Sequence, residues 1–288
     1  MLVTPRPGVG RDHLRSQLST QCTKVTNLWT AGPHDAAERL VAYLDWSTNA
    51  LQALGNQISS KDIERLVLTR GHRTLLEQGR HLTEGDNRRI VNGLLNLELQ
   101  QCAAAFRDAV DALDRKVKSW NDTIDLLVAD TSFYIQHPDK IEIADLDGFG
   151  DGGTREIRLL FPMAVIDELD SLKQHRKSEV RWRAGHTLAF LDKRVLRDEP
   201  ATIRAKSVRP DGSFNLGVSI EVLFDPPGHV RLPITDDEIV DRALAAQALA
   251  ASPVTFITYD TGQCMRARFA GLKVIKLRND EDAGPEPK

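Results

Sequence analysis

Four acidic residues stand where the sequence could bring carboxylates together for catalysis. Asp130 directly follows the apolar run IDLLVA, and Asp260 directly follows a second run, VTFITY. Glu168 lies in the segment PMAVIDELDSLK, which begins where a third apolar run ends, and Asp236 lies at the start of TDDEIVDRAL. Apolar runs of this length predict buried strands, and acids at strand ends predict a site at one edge of a sheet.

Carboxylates that share a site repel one another, because each negative charge opposes the ionisation of its neighbours. A divalent cation removes this penalty, and oxygen ligands of this kind suit Mg²⁺ or Mn²⁺. Such ions generate hydroxide from water and stabilise both the attacking and the leaving oxygen of a phosphodiester. The four acids therefore point to metal-dependent phosphodiester hydrolysis.

Each acid also has a local explanation, since turns and helix starts favour carboxylates. Thr235 and Glu238 have the spacing of a capping box, which would place Asp236 and Asp237 in a first helical turn for structural reasons alone. The sequence leaves open which of these two aspartates is the third acid.

The elements that must position these acids alternate between strands and helices in the second half of the chain. Strands are predicted at 124–129, 157–161, 254–258 and 273–276. Helices are predicted at 163–175, 178–197, 236–250 and 263–270. This alternation is typical of an α/β fold in which helices cover both faces of a mainly parallel sheet.

We expect this α/β domain to span 121–278. Alternating residues at 202–208 and 216–224 flank the turn sequence RPDGS and predict a β-hairpin, inserted at about 198–233. The tail at 279–288 is acidic and contains proline, so we expect it to be disordered.

Residues 1–120 carry apolar residues at helical spacing and predict an all-α helical domain. Ser59 and Ser60 are candidate caps of one helix, and Ile90, Leu94 and Leu97 recur along another at i, i+4 and i+7. We expect all four tryptophans to be packing residues: Trp29, Trp46, Trp120 and Trp182. The domain contains no motif that would choose among RNA recognition, partner binding and oligomerisation.

The bulk composition excludes several other classes of protein. No apolar stretch approaches the ~20 residues that a membrane-spanning helix requires, and the N-terminus lacks the apolar core of a secretory signal. Cys22, Cys102 and Cys264 form no zinc motif and fit a reducing cytoplasm. Residues 1–120 contain 16 Lys and Arg against 13 Asp and Glu, and residues 121–288 contain 22 against 28, so nucleic-acid binding would need local basic patches.

Four stretches of the second half resemble PIN-domain nucleases, in particular the PIN domain associated with PhoH-type proteins. LLVADTSF resembles the first strand of that family with its D-T-[SN] ending, and FPMAVIDELDSLK is similar to its P-x-x-V-x-x-E-L-D-x-L-K. TDDEIVDRAL resembles the family helix N-D-D-x-I-L-x-x-A-L, and VTFITYDTGQCMRARFAGL resembles the closing strand, aspartate and helix. The stretches occur in the family's order and cover about 122–277.

The resemblance implies a three-layer α/β/α PIN-like domain and an endoribonuclease that cleaves single-stranded RNA with Mg²⁺ or Mn²⁺, leaving 3′-hydroxyl and 5′-phosphate ends. It implies that the metal-binding and catalytic acids are Asp130, Glu168, Asp236 and Asp260. It prefers Asp236 to Asp237, because the family aspartate lies three residues before an apolar residue that here is Ile239. The implied auxiliary residues are Thr131, Ser132 and Asp237.

A run of basic residues follows Glu168 and provides candidates for phosphate contacts, although a solvated helix face is an equally good interpretation. The candidate RNA-binding residues are Lys173, Arg176, Lys177, Arg181 and Arg183. His175 lies in the same run and is expected to be a surface residue.

Several functions stay open on these observations. A ribonuclease of this kind would act as a toxin-like or defence effector or in RNA processing, with RNA as its partner and no membrane. The helical domain would bind an antitoxin, another protein or a second copy of the chain. A catalytically silent PIN fold kept as an interaction module is the main alternative. A haloacid-dehalogenase-type phosphohydrolase fits less well, because that chemistry needs a D-x-D pair and position 132 is Ser.

Overall fold

The chain consists of two compact units, which the computed structural model describes at residues 1–82, 87–150, 155–195, 199–208 and 214–278. The first unit is Met1–Ser119 and the second is Trp120–Lys288. The acidic tail predicted at 279–288 lies outside the described residues. Among the described helices, none is long and apolar enough to cross a membrane.

The first unit is all-α over its described residues, as predicted. Its helices are α1 (Arg11–Ala31), α2 (Ala36–Leu54), α3 (Ser60–Leu66), α4 (Arg70–Leu82) and α5 (Arg88–Ser119). Asp35 caps α2 and accepts hydrogen bonds from the backbone N–H groups of Ala37 and Glu38. Ser59, and not Ser60, caps α3 by accepting from the N–H of Asp62. Both caps satisfy backbone donors that a helix start leaves without partners.

Helix α5 buries a different face from the one that the spacing of Ile90, Leu94 and Leu97 predicted. These three side chains are 40–57% exposed, whereas Val91 and Leu95 are fully buried. The buried stripe is shifted by one residue because α1, α2 and α4 pack against that side of α5. Apolar spacing alone does not show which side of a helix its neighbours cover.

The second unit is an α/β domain built on a six-stranded sheet with the strand order β3-β6-β2-β1-β7-β8. The strands of this sheet are β1 (Ile124–Ala129), β2 (Glu156–Pro162), β3 (Ala201–Arg204), β6 (Val218–Leu223), β7 (Thr255–Thr258) and β8 (Lys273–Lys276). The helices are α6 (Thr131–Gln136), α7 (Met163–Leu172), α8 (Ser178–Arg194), α9 (Thr235–Gln247) and α10 (Thr261–Phe269), with a 3₁₀ turn at Asp147–Phe149. All neighbouring strands run parallel except β3, which is antiparallel to β6. The predicted α/β class with a mainly parallel sheet is confirmed.

Strand β1 lies at the centre of the sheet and has the bounds that the sequence predicted. All six of its residues are buried, as expected for a parallel strand covered on both faces. It pairs with β2 on one side and with β7 on the other, where Ala129 lies opposite Ile257. The carboxyl ends of β1 and β7 therefore meet, which places Asp130 and Asp260 at the same edge of the sheet.

Two strands of the segment at 198–233, predicted as an inserted hairpin, belong to the main sheet. β3 and β6 pair antiparallel as a hairpin would, but β6 also pairs parallel with β2 over six positions. A separate two-stranded ladder joins β4 (Ser207–Val208) to β5 (Phe214–Asn215). The alternation of the sequence showed the two strands but not the second partner of β6, because that partner is distant in the chain.

The tryptophans differ in burial, and the expectation for one of them was wrong. Trp46 and Trp120 are buried, and the indole N–H of Trp120 donates to Glu221 Oε2 at 2.9 Å. Trp182 is 51% exposed on the outer face of α8, where its ring stacks on His186 at a centroid distance of 5.0 Å. Trp182 is therefore a surface residue.

Candidate active site

A cavity of about 330 Å³ opens at the carboxyl edge of the sheet, and we call it the acidic cavity. It is lined by Asp130, Thr131, Ser132, Ile135, Gln136, Glu168, Leu172, His175, Val180, Asp236, Ile239 and Asp260. The four predicted acids all line it, together with the two predicted hydroxyls that follow Asp130. Asp237 and the five predicted RNA-binding residues are not among its lining residues.

Asp130 caps helix α6 from the end of β1 and is 5% exposed. Its Oδ1 accepts hydrogen bonds from Ser132 Oγ (2.6 Å) and from the N–H of Phe133 (3.2 Å). Its Oδ2 accepts from Thr258 Oγ1 at 2.6 Å. Burial raises the pKa of the Asp130 carboxyl to about 6, although these three hydrogen bonds oppose the rise. The carboxylate is thus fixed in position and poorly solvated before any ligand arrives.

Thr258 is a functional candidate that the sequence interpretation missed. It is fully buried at the end of β7, and its hydroxyl also accepts from the N–H of Asp260 at 2.8 Å. The same hydroxyl thus connects the first and the fourth acid. A threonine two residues before the strand-end aspartate was the available signal, but only the pairing of β1 with β7 shows its role.

Replacing Thr258 with valine should destabilise the protein at pH 7.5 by about 1–3 kcal/mol, because it removes a donor from a buried carboxylate at nearly constant shape. Urea denaturation without metal measures the effect. Thr258→Ser is the matched control, since it keeps the hydroxyl and should lose less. Equal losses for the two variants would show that the methyl group matters and the hydrogen bond does not.

Glu168 reaches the acidic cavity from helix α7 and is coupled to the start of α6. Thr131 Oγ1 donates to Glu168 Oε2 at 2.5 Å. Thr131 directly follows Asp130 in the chain, so this hydrogen bond links Glu168 to the residue next to Asp130. The predicted auxiliary role of Thr131 therefore has a geometric basis in positioning Glu168.

Asp236 and Asp260 are held together by Gln263 of helix α10. Asp260 caps α10 and accepts from the Gln263 N–H at 2.7 Å, while Gln263 Nε2 donates to the backbone carbonyl of Asp236 at 3.2 Å. Partial burial raises the pKa of Asp236; Arg266 opposes the rise, and Asp260 and Asp237 add to it. Gln263 is a second buried residue that the sequence did not identify.

The structure separates the two aspartates at the start of α9. Asp236 lines the acidic cavity, and its Oδ2 lies 3.7 Å from Arg266 Nε. Asp237 instead pairs with Arg266 Nη1 at 2.6 Å. Asp236 is therefore the better candidate for the third acid, because it lines the cavity and its contact with Arg266 is the longer of the two.

The capping box predicted at Thr235 and Glu238 is absent. Helix α9 begins at Thr235, its N-cap is Ile234, and no side chain caps it. Glu238 accepts instead from the N–H of Leu232 at 2.9 Å and from His229 Nε2 at 2.7 Å. Asp236 and Asp237 do lie in the first turn, where the helix dipole favours negative charge.

The predicted RNA-binding residues fall into two groups. Lys173 pairs with Asp170 at 2.6 Å, while Arg181 and Arg183 donate to backbone carbonyls of neighbouring segments. Arg176 and Lys177 are exposed, and within the described part of the chain their side chains make no hydrogen bond or ion pair. His175, expected at the surface, is exposed but also lines the acidic cavity.

A second group of metal-ligating side chains lies outside the acidic cavity. Among the residues that the structure describes, Asp225, His229 and Glu238 are the one such group whose ligand atoms all lie within 4.8 Å of one another. Glu238 is already paired with Arg242 at 3.2 Å, and Asp225 with Arg231 at 2.6 Å. Because cations already compensate both carboxylates, we interpret the group as a structural network.

The sheet and its strand order define the second unit as a mainly parallel α/β domain with acidic side chains at one edge. The family model of the PIN domain matches residues 127–278, just over half of the chain. The chain belongs to the PIN domain family, as the four stretches predicted. A comparison with curated proteins gave no match. PIN domains are generally nucleases that use divalent metal ions, which agrees with the carboxylates that line the acidic cavity.

Proposed function

We propose that the protein is a metal-dependent endoribonuclease that cleaves single-stranded RNA. The observation that supports this proposal is the convergence of Asp130, Glu168, Asp236 and Asp260 on one cavity of about 330 Å³. A cavity of this size accommodates one splayed nucleotide rather than a duplex, and unstacked bases are typical of single-stranded RNA recognition.

The lining of the acidic cavity fits Mg²⁺ or Mn²⁺. Its titratable groups are four carboxylates and one imidazole, and hard oxygen donors suit these two ions. When bound, such an ion acts as a Lewis acid that lowers the pKa of water and offsets charge on the scissile phosphate. Asp130, Glu168, Asp236 and Asp260 are the residues that would hold it.

The remaining contacts prepare these acids in advance. Ser132 and Thr258 hold both oxygens of Asp130, and Thr131 holds Glu168. Such preorganisation reduces the rearrangement that the chain must undergo when substrate arrives. Asp130, Asp236 and Asp260 lie at the N-terminal ends of α6, α9 and α10, where the helix dipoles favour negative charge.

The path of the RNA outside the acidic cavity is proposed to pass Arg176 and Lys177. Both are exposed and follow His175, which lines the cavity. Their charges are not engaged with other described residues, so they can contact phosphates without breaking an existing pair. Lys173, Arg181 and Arg183 are less suited, because each already has an internal partner.

We also propose a cellular location for the protein and a role for its first unit. The free thiols of Cys22, Cys102 and Cys264 favour a cytoplasmic location. The apolar side chains that the first unit exposes, including Ile90 and Leu97, favour a protein partner for that unit, such as an antitoxin or a second copy of the chain.

Incubation of the full chain with end-labelled single-stranded RNA tests the proposed activity. We expect fragments with 5′-phosphate ends to appear with Mn²⁺ and to disappear with a chelator. Asp35→Asn is the matched control, because Asp35 also caps a helix but lies outside the acidic cavity. We expect this variant to cleave like the wild type.

The same assay separates the nuclease from a silent PIN-fold interaction module. Absence of cleavage in Mn²⁺ and Mg²⁺ across several RNAs, combined with tight binding of a protein partner, would favour the module. Cleavage that Asp130→Asn leaves unchanged would instead attribute the activity to a contaminant.

A further inference from the structure

A second cavity of about 210 Å³ lies beside the acidic cavity, and we call it the Arg231 cavity. The two cavities share Glu168 in their linings. Helix α7 contributes Asp167 and Ser171, which lie one turn apart, and the start of α9 contributes Thr235. Arg231 and Leu232, from the segment between β6 and α9, complete the wall. Of its lining residues, the proposed metal site uses Glu168 alone.

Arg231 is held in a defined orientation at the wall of this cavity. Its Nε pairs with Asp225 Oδ2 at 2.6 Å, and its Nη1 pairs with Asp167 Oδ2. Its Nη2 makes no hydrogen bond with any residue that the structure describes, and neither does Asp167 Oδ1. A planar donor and a carboxylate acceptor therefore lie next to each other at the wall, and both Arg231 Nη2 and Asp167 Oδ1 keep free hydrogen-bonding positions.

The segment that carries Arg231 is itself anchored to helix α9. Glu238 is 1% exposed, and it accepts from the N–H of Leu232 and from His229 Nε2. Arg242, one turn further along α9, pairs with the same carboxylate. This network fixes the wall of the Arg231 cavity before a ligand binds, which lowers the ordering cost of binding.

The charges around the cavity favour a nucleobase over a phosphate. The carboxylates of Asp167, Glu168 and Glu238 line it, and Asp225 pairs with Arg231. Arg231 is the cation in the lining, and both acids that it contacts reduce its attraction for an anion. A neutral base that offers acceptors and N–H donors together is the ligand that such a wall matches.

We propose that the Arg231 cavity binds the base of the nucleotide next to the cleaved phosphate and that it prefers guanine. Guanine presents O6 and N7 as acceptors for an arginine and N1–H and N2–H as donors for a carboxylate. Leu232, which is 43% exposed, supplies an apolar surface for the face of the ring. The position of this base beside the cleaved bond rests on the proposed ribonuclease function.

Cleavage mapping tests the consequence for specificity. The full chain is incubated with a random-sequence single-stranded RNA pool and Mn²⁺, and the fragment ends are sequenced. We expect guanine to be enriched at one position next to the cut. The enrichment should fall at least about fivefold in Arg231→Gln and in Ser171→Leu, which fills the cavity.

Arg155→Gln is the matched control for the arginine variant. Arg155 is also half-exposed and paired with an aspartate, but it precedes β2 at the opposite edge of the sheet. The enrichment should persist in this variant. No base preference, a preference for another base, or a guanine preference that survives both cavity variants would overturn the proposal.

Nucleoside binding without metal tests the cavity independently of cleavage. Saturation-transfer NMR on the full chain with a chelator present should detect guanosine more strongly than adenosine, cytidine or uridine. Arg231→Gln and Ser171→Leu should weaken guanosine binding by at least about fivefold. If the protein binds guanosine in this way but cleaves no RNA, the ribonuclease proposal fails and the guanine site stands. Cleavage without selective guanosine binding would remove the guanine site alone.

Discussion

Replacing Asp130 with asparagine will stabilise the metal-free protein while it lowers the rate of RNA cleavage at least about a hundredfold. Burial raises the pKa of this carboxyl to about 6, so the folded protein holds its proton more tightly than the unfolded chain does. The stability that this proton provides is complete below pH 3.8, the ordinary pKa of the group, and is lost as the pH rises through 6. The ionised carboxylate therefore costs stability at pH 7.5, by about 2–3 kcal/mol.

The substituted side chain can keep most of the contacts of Asp130. Its oxygen can still accept from Ser132 Oγ and the Phe133 N–H. Its amide can donate to Thr258 Oγ1, whose own hydrogen can then turn to the backbone carbonyl of Asp260, 3.3 Å away. The substitution thus removes a buried negative charge without leaving an obvious buried donor or acceptor without a partner.

Scanning calorimetry with a chelator present measures the predicted change in stability. We expect the melting temperature of Asp130→Asn to exceed that of the wild type by about 5 °C at pH 7.5 and to match it near pH 4. Asp35→Asn is the control, and we expect it to lower the melting temperature at pH 7.5. Two backbone hydrogen bonds lower the pKa of Asp35, so its negative charge stabilises the folded protein. A melting temperature for Asp130→Asn below that of the wild type at both pH values would contradict the proposed cost of the buried charge.

The affinity for Mn²⁺ will fall by about tenfold for each pH unit below pH 6. A carboxyl must lose its proton before it binds a cation, and the Asp130 carboxyl has a pKa of about 6. Above this pH the group is ionised, and the affinity should become nearly independent of its titration. Burial also raises the pKa of Asp236, so protonation of this second carboxyl adds to the loss of affinity in acid.

Isothermal titration of Mn²⁺ into the full chain from pH 5 to pH 8 measures this dependence. Thr258→Val provides an internal check, because loss of a hydrogen bond to the carboxylate raises the pKa of Asp130 further. The pH below which affinity declines should therefore be higher in that variant than in the wild type. A Mn²⁺ affinity that stays constant across this range would show that Asp130 does not bind the ion.

The strands and helices that carry the four acids were predicted from local sequence. The run at 124–129 became β1 with the same bounds, because a short run that is apolar apart from Asp125 suits a strand that is buried on both faces. Asp130 directly follows β1 and Asp260 lies two residues after β7, so the pairing of β1 with β7 was enough to bring them together. Glu168 enters the same cavity from the second turn of α7 and Asp236 from the first turn of α9, two helices that the periodicity also indicated.

The parts that depend on long-range packing could not be predicted. The hydrogen bond between Thr258 and Asp130 joins residues 128 positions apart, and no local pattern records it. The same holds for Gln263, whose side chain reaches the backbone of Asp236. The prediction of a capping box was wrong for a related reason. Glu238 accepts hydrogen bonds from the segment before α9 and not from the start of the helix. Spacing shows which contacts a residue is able to make, and packing decides among them.

The position of Mn²⁺ in a crystal of the full chain tests the central proposal most directly. Anomalous scattering locates the ion without assumptions about its ligands. We expect a peak in the acidic cavity, about 2.1 Å from an oxygen of Asp130 and within direct or water-mediated reach of Glu168, Asp236 and Asp260. A Mn²⁺ ion bound only at Asp225, His229 and Glu238, or no ion at any of these acids, would contradict it.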